Sequence, residues 1–492
     1  MRSLRFIALL ALPGQIAFGQ QASSAARGST LSLDDAIATA HRNNPAFLQI
    51  ENLLRNSEST VRQAYAALLP SSSAQFSTRY QQGGTQFVQG VALGGSSADS
   101  RQSSYSVGLN YFINGSVAFA PRSARASRDA SEADIANQAE ALRTQVTQQY
   151  IAALQSRAQA ALQDTLVQTA TGQLELANAK MKVGAGTILD VRTAEVAVGQ
   201  AQVAALTAHN NAQVDKLRLF QLMGVAPDTA AELTTKFAVA DPRFSLDSLL
   251  DLARKVNPDV AAKKSRQFAD EMNVKAAKTQ YIPSLSLSTG VGGNSFEYVD
   301  PNLLVSQSAA SAAAQARSCL SQDSIRTRIG LSGLTCGSGQ LSADQIAAIR
   351  ASNNQFPFKF NRNPIGVSAT LSLPIFNNYQ REAQIEAAKV ARDNAAYDVR
   401  SRNLQLTTEV TQAYLTLVTD AKTVQLQEQN AAKATEELAF AEESYKVGAK
   451  TFLDVTTARG TYEQALSARV NAIYEYHKAF AALEGAVGRP LR

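Results

Sequence analysis

The chain has 492 residues, 45% hydrophobic and 18% charged, with a formal net charge of +6. That composition excludes wholesale disorder, and so weak and scattered a positive charge excludes nucleic acid as a partner. The two cysteines exclude a multi-disulfide scaffold, and His41, His209 and His477 are too far apart in sequence for metal-ligand spacing, so no cofactor or metal is expected.

Residues 1–20 read as a secretory signal peptide. A basic start (Arg2, Arg5) precedes the apolar run FIALLAL, Pro13-Gly14 breaks it, and Ala17-Phe18-Gly19 supplies the small residues a signal peptidase reads. Cleavage is expected near Gly19 or Gln20. No cysteine follows the apolar run, so a lipid-anchored N-terminus is not expected. The mature chain is expected to enter an oxidising compartment. Beyond this segment no run of about 18 apolar residues offers a membrane-spanning helix.

The remainder is two copies of one unit, 21–240 and 241–492. LSLD at 31–34 returns as FSLD at 244–247, Asn44-Pro45 as Asn257-Pro258, and Pro70-Ser71 as Pro283-Ser284, each 213 residues on. Further along, TQVTQQY at 144–150 returns as TEVTQAY, VGAGTILDV at 183–191 as VGAKTFLDV, and Gly224 as Gly488, each 264 residues on. The change of offset places one insertion of about fifty residues in the second copy, within 300–360.

Each copy begins with an alanine-rich helical pattern, 31–69 in the first, with Ser32 or Asp34 as early caps. The period then switches to two. A strand pair is predicted over about 73–113, joined by a Gly/Ser/Gln-rich loop, with Ala74, Phe76, Val107, Leu109, Tyr111 and Ile113 on its apolar face. The second copy repeats this pair over about 284–296 and 363–376. Such strands, apolar on one face and small and polar on the other, match the outer-membrane barrel pattern, and no partner layer is evident to cover them as in a soluble sheet. Phe112, Phe119, Phe296, Phe358, Phe376 and Tyr379, near the strand ends, suit interfacial girdles.

Long helices follow. No proline occurs between Pro121 and Pro227 or between Pro374 and Pro490, and about 60 helical residues at 1.5 Å rise span roughly 90 Å. A helix of that length must pack laterally in a bundle. Each hairpin reverses near Gly184 and Gly448, where glycine accepts left-handed angles. Within the insertion, Cys319 and Cys336 are the only cysteines; in an exported chain a disulfide is the default, and a short helix is expected at 344–351.

Four strands cannot close a membrane barrel, whose smallest examples use about eight. An open edge in lipid leaves backbone groups unsatisfied at several kcal/mol each. A spanning assembly therefore needs copies of the chain, and strand arithmetic alone permits two, three or four.

The turns YKVGAKTFLDV and MKVGAGTILDV, the repeat starts SLDDAIATAHRNNP and SLDSLLDLARKVNP, and LSLPIF at 371–376 resemble the TolC family of outer-membrane efflux proteins, in the family's order over essentially the whole mature chain. The resemblance implies a mixed α and membrane-β fold: a homotrimer sharing a twelve-stranded β-barrel above a long α-helical coiled-coil barrel in the periplasm. It implies a passive exit duct of tripartite efflux or type I secretion, partnered by a periplasmic adaptor, an inner-membrane pump and outer-membrane lipid, with no catalytic cofactor. The tips Val183, Gly184, Thr187, Val447, Gly448 and Thr451 are then adaptor-docking positions.

By the same resemblance the periplasmic entrance is closed by polar links: Asp190 on the first hairpin, Tyr445 and Lys450 on the second, and Asp454 at a constriction. A phenol and a cation can each bond one carboxylate. Lys450 stands where the family archetype has arginine, and a point charge without the bidentate fork implies a looser latch. The archetype's second acidic ring falls at the uncharged Thr457, which implies weaker cation selectivity. From residue type alone Asp190 and Asp454 read as helix N-terminal caps, and only the resemblance sets the gate role beside that reading; both roles can coexist. A different class of reading is a non-conducting, periplasm-spanning scaffold anchored in the outer membrane; a plain spacer does not require the Asp/Tyr/Lys set. An enzyme is the weakest rival, because there is no Ser/His/Asp arrangement and no phosphate-binding glycine loop. The exported substrate is not written in the chain.

Overall fold

The computed structural model describes residues 30–88, 91–239 and 244–491; the expected signal peptide lies outside them. In chain order the elements are β1 (Thr30–Leu31), α1 (Leu33–Asn43), α2 (Pro45–Ala66), β2 (Ser71–Gln81), β3 (Gly84–Val88), β4 (Val91–Ser97), β5 (Ser100–Ile113), α3 (Ala120–Lys182), α4 (Ile188–Met223), β6 (Glu232–Leu233), α5 (Leu246–Val256) and α6 (Pro258–Lys278). Then come β7 (Ser284–Tyr298), α7 (Asn302–Arg328), α8 (Ala343–Asn353), β8 (Asn361–Arg362), β9 (Gly366–Ser372), α9 (Gln380–Lys446) and α10 (Phe452–Val487). The chain divides into two compact units. Of the described residues, one comprises 30–53, 133–239, 244–261 and 401–491, the other 54–88, 91–132 and 262–400.

The first unit is helical and holds two buried apolar clusters. One gathers Val146, Tyr150, Leu154, Leu219 and Met223 around Ala36 and Ala40 of α1. The other gathers Val410, Leu417, Tyr476, Phe480 and Leu483 around Leu249 and Ala253 of α5. The expected helix over 31–69 is in fact two, because Asn44 leaves the helical backbone (φ −65°, ψ 117°) ahead of Pro45, whose ring disfavours a helical predecessor. Asn44 then joins three elements. Its Oδ1 accepts from the Phe47 amide at 3.0 Å, and its Nδ2 donates to the Leu222 carbonyl near the end of α4 at 2.8 Å. Asn257 does the same in the second copy, accepting from Val260 and donating to the Ala486 carbonyl near the end of α10, both at 3.3 Å. Gly224 and Gly488, the left-handed C-caps of α4 and α10, lie against these corners; a Cβ on Gly224 would stand 2.4 Å from the Asn43 carbonyl oxygen.

The second unit carries an antiparallel sheet in the order β2-β5-β7-β9, with the two-residue β8 also on β7. The pleat sorts its residues. The cross-strand rows Ile113–Leu285–Leu371, Tyr111–Leu287–Ala369 and Leu109–Thr289–Val367 share one face. The other face carries Gly108–Gly290–Gly366 and Asn110–Ser288–Ser368, with hydroxyl contacts Ser77–Ser104 at 2.8 Å and Ser288–Ser368 at 2.6 Å. The outer strands β2 and β9 are exposed along their whole length.

Two expectations change here. The loop inside the first strand pair forms a hairpin of its own, β3 paired antiparallel with β4. The insertion is largely helical, with α7 and α8 linked by an Arg350–Asn302 hydrogen bond at 3.0 Å. The side chain of Asn353 binds both backbone groups of Tyr298, which ties α8 to the end of β7. Cys319 and Cys336 are joined as a disulfide.

Candidate functional site

The two helix reversals of the first unit are built by the same local chemistry. α3 ends at Lys182 and α9 at Lys446; Gly184 (φ 74°) and Gly448 (φ 81°) then take left-handed backbone. Ala185 N–H donates to the Lys180 carbonyl and Ala449 N–H to the Ser444 carbonyl, both at 2.9 Å, closing the helix ends. The outgoing helices start in capping boxes. Thr187 Oγ1 accepts from the Asp190 amide at 3.1 Å, while Asp190 Oδ2 accepts from the Thr187 amide at 2.9 Å. Thr451 and Asp454 repeat this at 3.3 and 2.8 Å, and the Thr451 hydroxyl also donates to Asp454 at 2.7 Å. That hydroxyl, followed by the Thr451 amide, holds the Asp454 carboxyl below the usual aspartate range. The N-caps are therefore Thr187 and Thr451; the two aspartates, expected as the caps, stand at the third helical position and supply the return bond of each box, because the chain leaves the turn extended at the threonine.

The hairpins meet along a buried seam of Ala177, Val191, Ala194, Leu438, Ala441, Tyr445, Phe452 and Val455. Tyr445 is 4% exposed, and its ring lies 5.6 Å from that of Phe452. The Lys180 ammonium stands 4.3 Å above the Tyr445 ring and donates to the Tyr445 backbone carbonyl. Gln173 Nε2, two turns before Lys180, donates to Glu442 Oε1, one turn before Tyr445, at 3.0 Å. Among the described residues the Tyr445 hydroxyl has no hydrogen-bond partner. Burial, and after it the charge of Asp190, push its pKa above the ordinary tyrosine value. Lys450 is exposed beside this seam. The structure therefore brings Asp190 and Tyr445 into one electrostatic neighbourhood without a direct bond. Sequence reading passed over Lys180, whose position one turn before the reversal was its only signal.

The apices are bare. Val183 and Val447 are 78% and 80% exposed, and a Cβ on Gly184 or Gly448 would meet nothing within 4 Å. Thr187 and Thr451 are exposed but occupied as caps. The histidines keep separate company: His41 against Phe47, His209 with Asp164 at 3.0 Å, and the buried His477 between Phe237 and Tyr476.

A model of the outer membrane efflux protein family matches residues 36–225 and 333–489. Among solved structures, the outer membrane protein VceC from Vibrio cholerae superposes with a TM-score of 0.69 at 18% identity, covering 94% of this chain and 97% of its own. The open state of the Neisseria gonorrhoeae MtrE outer membrane channel gives 0.67 at 18% identity, covering 94% and 89%. The Campylobacter jejuni CmeC outer membrane channel gives 0.68 at 15% identity, covering 93% and 85%. At these identities the likeness is one of fold. No curated protein matches the chain significantly.

Proposed function

The chain belongs to the outer membrane efflux protein family, and from that premise we propose that it is the passive exit duct of a tripartite efflux or type I secretion system. It is an outer-membrane protein with a periplasmic helical portion. The observation that carries the duct reading is the open sheet. It has four long strands besides the two-residue β8, two exposed outer strands, and apolar rows facing away from a Ser/Gly/Asn face. In lipid those edges must pair with other copies. Three copies, the assembly the family implies, make a twelve-stranded barrel whose polar face lines a lumen.

The hairpin tips are the entrance and the docking ends in this reading. Val183, Gly184, Thr187, Val447, Gly448 and Thr451 meet a periplasmic adaptor, which couples the duct to an inner-membrane pump. Asp190, Tyr445, Lys450 and Asp454 form the gate. A capping-box bond leaves most of a carboxylate's acceptor sites free, so each aspartate can close its box and still receive the Tyr445 hydroxyl or the Lys450 ammonium once copies assemble. No step of this work is chemical.

Single-channel conductance of the purified assembly in a planar bilayer tests the reading. Low conductance that rises severalfold in the double variant Lys450→Ala, Tyr445→Phe places the latch at these residues. High conductance in both proteins keeps the duct and removes the gate assignment. A correctly assembled protein that conducts in neither form is instead a scaffold spanning the periplasm.

A further inference from the structure

At the helix-side end of the sheet, the second unit carries five cations that form no ion pair among the described residues and stand nearer the sheet than most carboxylates around them. That end is marked by Ser71 opposite Asn110, Ile113 opposite Leu285 and Ser284 opposite Ser372. Within about three helical turns of it lie Arg62, Arg122, Arg125, Lys275 and Lys278, all exposed. None of the five has an ion-pair partner among the described residues, whereas the neighbouring Arg128 is paired with Asp129 and Glu132. Glu382 accepts from the Tyr281 hydroxyl at 2.9 Å and keeps its charge; Glu58, Asp129 and Glu271 stand one helical turn further from the sheet than Arg62, Arg125 and Lys275, with Glu58 and Asp129 lining one pocket with Arg62 and Arg125. The order along each helix, cations next to the sheet and carboxylates a turn behind them, leaves a positive rim at the sheet's end that an anion would offset.

Aromatic rings share the band. Arg125 stacks over Tyr65 at 4.9 Å and Arg381 over Tyr281 at 4.7 Å. Between β9 and α9 the chain turns through Asn378 (φ 55°) and Tyr379 (φ 60°), both left-handed without being glycine. A bulky residue takes that backbone at a cost that surrounding structure must offset. Arg381 holds the turn, donating to the Pro374 and Ile375 carbonyls at 2.8 and 3.0 Å. The turn presents Phe376 and Tyr379 edge to face at 5.7 Å, and both rings are exposed. Tyrosines with a wet end and an apolar end, beside the wholly apolar Phe376 and among unpaired cations at the rim of a membrane sheet, match the headgroup level of a bilayer.

We propose that this band is a binding surface for anionic glycerophospholipid of the periplasmic leaflet. The phosphates sit among Arg62, Arg122, Arg125, Lys275 and Lys278, and the turn carrying Phe376 and Tyr379 enters the acyl boundary. The choice of leaflet rests on the outer-membrane reading, because the helices lie on the periplasmic side. The band's charge selects phosphatidylglycerol and cardiolipin over zwitterionic lipid, since each lysine or arginine near a charged surface contributes roughly fivefold to such a preference at low salt.

The test is native mass spectrometry of the purified full-length assembly, incubated with phosphatidylglycerol, cardiolipin, phosphatidylcholine or lipopolysaccharide. Wild type is expected to retain the two anionic phospholipids at least tenfold over phosphatidylcholine, and to lose that preference as salt is raised. The variant Arg62→Gln, Arg122→Gln, Lys275→Gln, Lys278→Gln is expected to retain all phospholipids equally while its conductance stays that of wild type. If that variant does not assemble, the salt dependence of wild type decides alone. Equal retention of phosphatidylglycerol and phosphatidylcholine by wild type, a salt-insensitive preference, or retention of lipopolysaccharide in place of phospholipid overturns the proposal. Each of those outcomes leaves the duct reading intact, because conductance is read separately.

Discussion

The helical unit and the sheet unit bury their apolar side chains by opposite means. In the helical unit Val146, Tyr150, Val410, Leu417 and Leu483 are fully enclosed by the chain itself. In the sheet unit Val107, Leu109, Val367 and Leu371 are all exposed. One unit is finished by folding; the other, in the duct reading, is finished by lipid and by further copies. Burial within the single chain then separates residues that hold this chain together from residues left for that assembly.

The largest expected effect sharpens that division. Leu417→Ala removes a fully buried side chain and is expected to cost about 3–4 kcal/mol in denaturant unfolding of the helical unit. Val367→Ala, on the exposed β9, is expected to leave that transition within about 0.5 kcal/mol. A large loss from Val367→Ala would break the division. Glycines draw the same line inside the helical unit. Gly224→Ala forces a Cβ against the Asn43 backbone in left-handed geometry and is expected to cost about 3 kcal/mol. Gly184→Ala, equally left-handed but in open space, is expected to cost about 1 kcal/mol in the same denaturant unfolding.

Asn257→Ala strips a cap from α6 and the bond to the Ala486 carbonyl, at about 2 kcal/mol. Asn44→Ala is expected to match it if the two corners are equivalent, and a large disparity in melting temperature would show that they are not. Smallest is Thr451→Ala, expected to cost about 1 kcal/mol as a lost N-cap. The variant also removes the hydroxyl that holds the Asp454 carboxyl low, so its titration, followed by NMR, should move up toward the ordinary value. The sign follows directly. A carboxylate whose folded pKa lies below its unfolded one adds stability above the unfolded value and loses it as pH falls through the folded value. Wild type should therefore lose this contribution on acidification, and Thr451→Ala should show less of that loss.

Much was legible from residue order alone. Alternation at Val107, Leu109, Tyr111 and Ile113 specified a strand with one apolar face, because side chains on a pleat alternate whatever lies beyond them. The Val-Gly…Leu-Asp-Val turns specified helix reversals, because a left-handed glycine followed by a Thr…Asp box is a local device. Asn44-Pro45 also carried the break between α1 and α2, a local signal that alanine-rich composition outweighed in the sequence reading. The helix α7 was not legible, because a Ser/Ala/Gln stretch with no buried residue has no apolar period to read.

Other features were decided only in three dimensions. That Asn44 and Asn257 reach the carbonyls of Leu222 and Ala486 depends on helices brought together from 178 and 229 residues away. That Tyr445 is buried under Lys180, with its hydroxyl unpartnered among the described residues, depends on two hairpins sharing a seam. That five cations gather at one end of the sheet depends on three helices, α2, α3 and α6, running into it from distant parts of the chain. Periodicity and caps act over a few residues and so are written in order along the chain. Partnership across hundreds of residues is set by packing, which residue order specifies only through the fold.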